Sequence, residues 1–417
     1  MAHEMQQRIA RFDGGHPIEH ARMNAPYFDA ARMGGVMAGY GRGRTGAWGD
    51  RPLDSCPQVI DFIGSSYLGL DNHPVIVAGA IEAIEAQRSL HWSWARAQLN
   101  FDLLRELEER LSEMFCARVL AFSDVMLANL AAMPILASGQ LTGGRKPVLV
   151  FDSFAHNSLA CQPMADKTWV KTIAHNDIDA LERLCRENLV VAYVCEGVYS
   201  MGEYSPIKEL RQLQERYGLF LYIDDTHGLS IFGCHGEGFA RSHFPQELSE
   251  RTIIAASLAK GFGASGGILM FGTADHESLF RRYSIPGVCS AAPTLAAIGA
   301  ALGSCKIHRS AELGQRQARL AQRIELFDRR VATVGQGNSL PIRTIAVGSE
   351  ANAIAIARGL LDGGFYTLGT FLPTVGQRKA GVWVWITAEH AARDIERLCN
   401  CILERVAETT GKPYPLR

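Results

Sequence analysis

The chain has 417 residues, 47% of them hydrophobic and 20% charged, which fits a folded protein with a sizeable core and more than one domain. A formal net charge of −1 and a pI near 6.9 provide no field to draw nucleic acid or an anionic membrane. No apolar run reaches the ~18 residues of a membrane span, and the start, MAHEMQQRIARFDGG, carries no hydrophobic signal core, so a cytoplasmic location is expected.

Residues 34–57 are rich in Gly, Arg and Pro and read as irregular chain. VIDFIGSSYLGL (59–70) opens the regular part. Leu104, Leu107, Leu111 and Met114 recur at helical spacing and predict an amphipathic helix over 101–115. From 147 onward strands and helices alternate. PVLVF (147–151), WVKTI (169–173), VVAYVCEGV (190–198), LFLYID (219–224), TIIAAS (252–257) and GILMFG (267–272) are strand-like. DIDALERLCREN (177–188) and PIKELRQLQERYG (206–218) are helical. Such alternation predicts an α/β fold with a mostly parallel sheet covered by helices. Near 290 the character changes. A long helical stretch over 294–328 is followed by PIRTIAVG (341–348), a helix near 350–363, GVWVWIT (381–387) and a last helix over 388–409. The expected organisation is an N-terminal segment (1–58), a large domain (59–290) and a small α+β domain (291–417). Ten cysteines, with no CxxC pair and most within apolar runs such as those holding Cys116, Cys195 and Cys305, read as reduced, buried thiols.

IIAASLAKGFGASGG (253–267) sets Lys260 between a strand and a string of small residues. GFGASG matches G-x-G-x-x-G, but a dinucleotide site needs a helix next, and the adjoining GILMFG is another strand pattern. Three further strand ends carry chemistry. YIDDTHG (222–228) presents Asp224 and His227, VCEGVYSM (194–201) presents Glu196 and Ser200, and FDSFAHNS (151–158) presents Asp152 and His156. Each alone reads equally as capping, and no third ligand near Asp224 and His227 supports a metal. Ligands of open α/β sheets bind at such strand ends, so four of them on one edge predict a single site. Pyridoxal phosphate (PLP) needs this set: a lysine to bind it covalently, an acid to hold its ring nitrogen protonated, hydroxyls for its phosphate and an aromatic face. Small residues around Lys260 would let the cofactor approach the backbone, and burial would lower the lysine pKa.

DFIGSSYLGL, LRELEERL, AHNDIDALERL, EGVYSMGEYSPI, IDDTHGLSIFG, SLAKGFGASGG and ITAEHAARDIERL, in this order, resemble the α-oxoamine synthase family, PLP enzymes of the aspartate-aminotransferase fold (fold type I). The resemblance runs from about 59 to the C-terminus. It implies that Lys260 is the Schiff-base lysine, Asp224 the partner of the pyridinium nitrogen, His227 the partner of the phenolic oxygen and His156 the imidazole stacked on the ring. It places Ser200 and Glu196 beside the cofactor. Ser257 matches the phosphate-binding hydroxyl, and Ser290 a hydroxyl reaching a partner subunit's phosphate, so a homodimer with shared sites is implied.

The departures fall in one group. Val125 and Met126 stand in the phosphate loop where Gly and an aromatic residue are usual, and SLHWSWAR replaces a glycine-rich stretch but keeps Arg96. Ser65 replaces an asparagine near the substrate carboxylate. The C-terminal arginine expected to grip that carboxylate is missing from GVWVWIT, where Gly381 and Trp383 stand, and this leaves Arg378, Lys379 or Arg96 to take its place. The implied activity is condensation of an amino acid with an acyl thioester of coenzyme A or a carrier protein, usually with decarboxylation, to an α-amino ketone. The altered clamp points to a bulky or S-adenosylmethionine-like amine in specialised metabolism. A PLP lyase or aminotransferase is the alternative, and a degenerate, non-catalytic partner subunit is disfavoured because Lys260 is present.

Overall fold

The computed structural model describes residues 17–37, 59–92, 94–160, 169–333, 335–370 and 380–414. Within these, twelve strands are formed: β1 (Ile60–Asp61), β2 (Arg118–Phe122), β3 (Val148–Asp152), β4 (Val170–Ile173), β5 (Val191–Glu196) and β6 (Phe220–Asp224). They continue with β7 (Thr252–Ser257), β8 (Gly267–Phe271), β9 (Ile342–Gly348), β10 (Phe365–Tyr366), β11 (Leu368–Thr370) and β12 (Ala380–Trp385). The chain divides into two compact units, one of Leu68–Tyr199 and Tyr204–Gln315, the other drawn from the stretches Gly15–Tyr67, Ser200–Glu203 and Arg316–Arg417.

The first unit holds a seven-stranded sheet in the order β2-β8-β7-β6-β5-β3-β4. Only β8 runs against its neighbours, and β7, β6, β5, β3 and β4 are parallel. Every residue of β3, β5, β6, β7 and β8 is buried, as a sheet covered on both faces requires. Leu120, Phe122, Phe151, Val194, Tyr222, Ile253, Ala255 and Leu269 meet Ala131, Ala132 and Leu136 of the helix Val125–Ser138 in one core. The helix Asp102–Phe115 buries Leu104, Leu107, Leu111 and Met114, the predicted stripe. The helix Ile207–Tyr217 stops at Gly218, whose φ of 70° is the left-handed cap that glycine tolerates best.

The second unit contains an antiparallel sheet, β11-β12-β9, and a parallel pair of short strands, β1 and β10. The helices Glu350–Asp362 and Ala392–Thr410 belong to it. The compact units divide between Gln315 and Arg316, later in the chain than the change of character near 290. The physical reason is the helix Leu295–His308, which packs on the helix Pro74–Gln87 of the first unit. Gly79 and Gly299 meet there so closely that a Cβ on Gly79 would sit 2.4 Å from the Gly299 carbonyl oxygen. The helical stretch over 294–328 consists of two helices, Leu295–His308 and Ala311–Asp328. Cys195 and Cys305 are buried free thiols as expected, whereas Cys116 is exposed, because it occupies the left-handed C-cap (φ 46°) of its helix.

Candidate active site

Parallel strands align their carboxyl ends, and here register puts the chemistry side by side. Glu196, last in β5, is the register partner of Asp224, last in β6, and β7 ends at Ser257, three residues before Lys260. Asp152 ends β3 but is occupied elsewhere. His175 Nδ1 and Tyr193 Oη lie 2.9 Å from its two oxygens, and the Asn176 and Phe154 amides donate to them as well. Burial works to raise its pKa, but these partners outweigh it and hold the carboxyl below its usual range. Asp152 therefore supports a loop instead of offering a free carboxylate.

Lys260 is half-buried, and its Nζ lies 2.7 Å from His227 Nε2. Burial lowers the lysine pKa to about 8, with Asp224 and Glu196 pulling the other way. Burial, then the Lys260 and His156 charges, push His227 well below the usual histidine range. His227 is thus a neutral imidazole, and its Nε2 accepts from the lysine below pH 8. Burial and the adjoining Asp224 push the Glu196 carboxyl well up. The small residues around Lys260 have a backbone purpose: a Cβ on Gly261 would sit 2.8 Å from the Leu229 carbonyl oxygen. Gly263, at φ 76°, packs on Leu70. Both place the lysine turn against neighbouring chain, a role that sequence reasoning assigns instead to cofactor approach.

Asp224 is held by a network that sequence reasoning missed. Asn129, on the first turns of the helix Val125–Ser138, donates to Asp224 Oδ2 at 2.9 Å and to Ser158 Oγ at 3.0 Å. Tyr222 Oη donates to Asn129 Oδ1 at 2.7 Å, and the Thr226 amide donates to Asp224 Oδ1 at 3.1 Å. Ser158 Oγ lies 2.8 Å from Nδ1 of His156, whose side chain is otherwise exposed. Asn129 was within sight, since LAN adjoins the altered phosphate loop and Tyr222 precedes Asp224 by two.

The remaining predicted residues separate. Ser257 is buried, with its Oγ accepting from the Ala259 amide at 3.2 Å. Val125 and Met126 open the helix Val125–Ser138, whose cap is Asp124, with Oδ1 accepting from the Met126 amide at 2.7 Å. Ser290 Oγ donates to the Pro286 carbonyl at 2.5 Å. Arg96 is corrected: it is buried, donates to the Ala121 carbonyl, and pairs with Glu108 Oε1 at 2.5 Å. Its charge is spent on Glu108, so it does not offer itself to a substrate carboxylate. Ser65, Ser200 and Trp383 belong to the second unit, and each is half-buried. Arg378 and Lys379 lie outside the described residues.

With this geometry, comparison with known proteins is decisive. The profile of the family "aminotransferase class I and II" matches residues 59–402. The chain belongs to this family. An 8-amino-7-oxononanoate synthase of Methylobacillus flagellatus is 29% identical over 380 residues, covering 84% of this chain and 87% of its own. The corresponding protein of Thermoanaerobacter pseudethanolicus is 28% identical, covering 84% and 88%. Among solved structures, a lysine-to-alanine variant of a serine palmitoyltransferase from S. paucimobilis, with a bound PLP–myriocin aldimine, has a TM-score of 0.81 at 18% identity, covering 94% of this chain and 99% of that one. A Sphingomonas wittichii serine palmitoyltransferase has a TM-score of 0.74 at 21% identity, covering 86% and 89%. These relatives are α-oxoamine synthases, as the motifs led us to expect, and the fold is PLP fold type I.

The residues present fit the cofactor of this aminotransferase family. Lys260 and Asp224 form no salt bridge among the described residues, although Asp224 ends β6 and Lys260 follows the end of its parallel neighbour β7. The Asp224 carboxylate is held on both oxygens by neutral donors only. Thr226 Oγ1, beside it, is a buried hydroxyl with no partner. A half-buried amine, a carboxylate held only by neutral donors and an exposed imidazole are the groups that a protonated pyridine ring with an aldehyde uses.

Proposed function

We propose that the protein is a PLP-dependent C-acyltransferase. It joins an amino acid to an acyl thioester, of coenzyme A or of a carrier protein, and releases carbon dioxide to leave an α-amino ketone. The observation that carries the reading is the 2.7 Å approach of Lys260 Nζ to His227 Nε2, beside an Asp224 carboxylate held by Asn129. When bound, PLP supplies an electron sink for the carbon next to the amino nitrogen.

The chain's own residues do the rest. Lys260 would hold the cofactor, and its amine would take the proton from the substrate carbon. A pKa near 8 keeps a useful share of the amine unprotonated near neutral pH. Asp224 keeps the proton on the ring nitrogen, and Asn129 and Thr226 fix the carboxylate that does so. His156 offers its exposed ring as a stacking face, and His227 serves the phenolic oxygen. Glu196 and Ser200 border the cofactor. Val125, Met126 and Ser257 take the phosphate, with Ser290 contributed by a second copy in a homodimer. Ser65 and Trp383 would face an amine larger than glycine, with Arg378 or Lys379 left to take its carboxylate. Cys195, Cys305 and Cys399 are buried free thiols, which supports a reducing, cytoplasmic location. No helix among the described residues is long and apolar enough to cross a membrane.

Borohydride reduction of the holoenzyme followed by peptide mapping tests the anchor. The pyridoxyl group is expected on Lys260, and labelling of another lysine in its place overturns the assignment. Assay of carbon dioxide and free thiol release, with a panel of amino acids and acyl thioesters, tests the reaction.

A further inference from the structure

His308 ends the helix Leu295–His308, has been given no role so far, and is fully enclosed. Burial lowers its pKa to about 4, so the ring is neutral at working pH. Its Nδ1 faces the Ser304 carbonyl at 2.9 Å and must carry the proton, which leaves Nε2 as an acceptor. Nε2 lies 2.9 Å from Ser230 Oγ, so that hydroxyl donates to it. Ser304 Oγ donates in turn to the Phe262 carbonyl at 2.6 Å, and the Phe262 and His308 rings have centroids 4.5 Å apart.

Ser230 gives this chain of bonds its meaning. It is buried at φ 72°, a left-handed conformation that a serine rarely adopts without being held. Its amide donates to the Gly236 carbonyl at 2.9 Å, and a Cβ on Gly236 would sit 2.6 Å from the His308 ring. Ser230 lies three residues beyond His227, and Phe262 two beyond Lys260. One imidazole therefore ties together the two loops that deliver His227 and Lys260 to each other.

We propose that His308 is a positioning residue: through Ser230 on one side and Ser304 and Phe262 on the other, it sets the approach of Lys260 to His227. The proposal rests on the reading of Lys260 as the cofactor-bearing lysine. If the His308 clamp is lost, the loops separate and Lys260 loses its acceptor, and the amine's titration and reactivity shift while the rest of the fold persists.

The test compares wild type, His308→Leu, Ser230→Ala, His308→Gln and the double variant His308→Leu/Ser230→Gly. Cofactor-free protein is incubated with PLP across a pH series, trapped with borohydride and mapped by mass spectrometry, alongside kcat and KM of the holoenzymes. His308→Leu and Ser230→Ala are expected to move the midpoint of Lys260 labelling by at least about half a pH unit, roughly threefold in rate at fixed pH. In the double variant, glycine accepts the left-handed conformation unaided and should restore most of that shift. His308→Gln, which keeps an acceptor, should stay near wild type. Unchanged labelling in folded Ser230→Ala and His308→Leu overturns the proposal, as does an equal defect with and without Ser230→Gly. Should His308→Leu fail to fold, Ser230→Ala and His308→Gln decide by the same criteria. Wild-type labelling on a lysine other than Lys260 would instead refute the cofactor assignment, so the two failures are distinct.

Discussion

Asn129 holds Asp224 across 2.9 Å, and Tyr222 orients the amide that does so across 2.7 Å. Because the amide oxygen is taken by Tyr222, the amide nitrogen points at the carboxylate, and its second hydrogen reaches Ser158 and through it His156. The acid proposed to serve the ring nitrogen and the imidazole proposed to stack on the ring thus share one support. Asp224→Asn should retain cofactor but lower kcat by at least ~10²-fold, as loss of one electrostatic stabiliser usually does. Asn129→Ala leaves the acid in place with one donor fewer, so a loss of about tenfold in kcat with little change in thioester KM is expected. Steady-state kinetics on both variants, with bound cofactor quantified by absorbance, checks this. Near-wild-type turnover in Asp224→Asn would assign the role to another acid.

Burial of Lys260 has a stability consequence of definite sign. Its ordinary pKa is 10.5 and in the folded chain it falls to about 8. Between those values the unfolded chain binds a proton that the folded chain does not, so stability of the cofactor-free protein rises with pH across that window. Below pH 8 the folded state carries the whole cost of enclosing an ammonium group. Lys260→Met should therefore stabilise the cofactor-free protein by about 1–3 kcal/mol at pH 7, with the gain vanishing above about pH 10.5. Denaturant titrations at pH 7 and at the alkaline end measure it. A destabilised variant at pH 7 would mean that the ammonium is well solvated in the fold.

Asp124 puts a carboxylate at the helix start proposed to receive the cofactor phosphate, and it accepts from the Met126 amide at 2.7 Å. A helix N-terminus favours one anion, and two there repel. Asp124→Asn keeps a capping oxygen while removing the charge. The variant should bind PLP about 3–10-fold more tightly at low ionic strength, and the difference should shrink as salt is added. Fluorescence titration of cofactor-free protein with PLP gives both numbers. Weaker binding in Asp124→Asn would place the phosphate away from this helix.

The parallel sheet and its strand ends were legible because β3, β5, β6 and β7 are short apolar runs closed by an acid or a hydroxyl, and Glu196 and Asp224 prove to be register partners. What sequence could not supply was the allocation of side chains. Asp152 has the same position on its strand as Asp224, yet His175, from the loop after β4, takes its carboxylate. Arg96 looks free along the chain, and only the fold brings Glu108 against it, a partner twelve residues away on a helix face. The compact units divide later than the expected boundary near 290 for a related reason. Gly79 and Gly299 are far apart in sequence, and the contact that joins their helices depends on two absent side chains, which no hydrophobic pattern records.

Trp383 is proposed to face the amine substrate. In β12, Val382 and Val384 are wholly buried, whereas Trp383 and Trp385, on the opposite face by strand alternation, are half-buried. Core packing is therefore carried by the valines, and the two indoles, 5.9 Å apart, make a second surface. Trp383 Nε1 is buried without a hydrogen-bond partner, as is Oγ1 of Thr344, its register partner on β9. Enclosed donors left unpaired cost free energy, which a ligand's polar group would recover. An indole face also attracts cations by roughly 0.5–2 kcal/mol, so a sulfonium such as that of S-adenosylmethionine belongs among the candidates beside a bulky apolar amine. Glycine and alanine should be poor donors, with a larger amino acid giving the higher kcat/KM. Trp383→Ala should lower kcat/KM for that amino acid by about 10-fold or more, and more than it does for glycine. Steady-state kinetics over a panel of amines, on wild type and variant, decides the matter. A clear preference of the wild type for glycine or alanine would remove the tryptophan from substrate selection and leave it a structural residue of the small sheet.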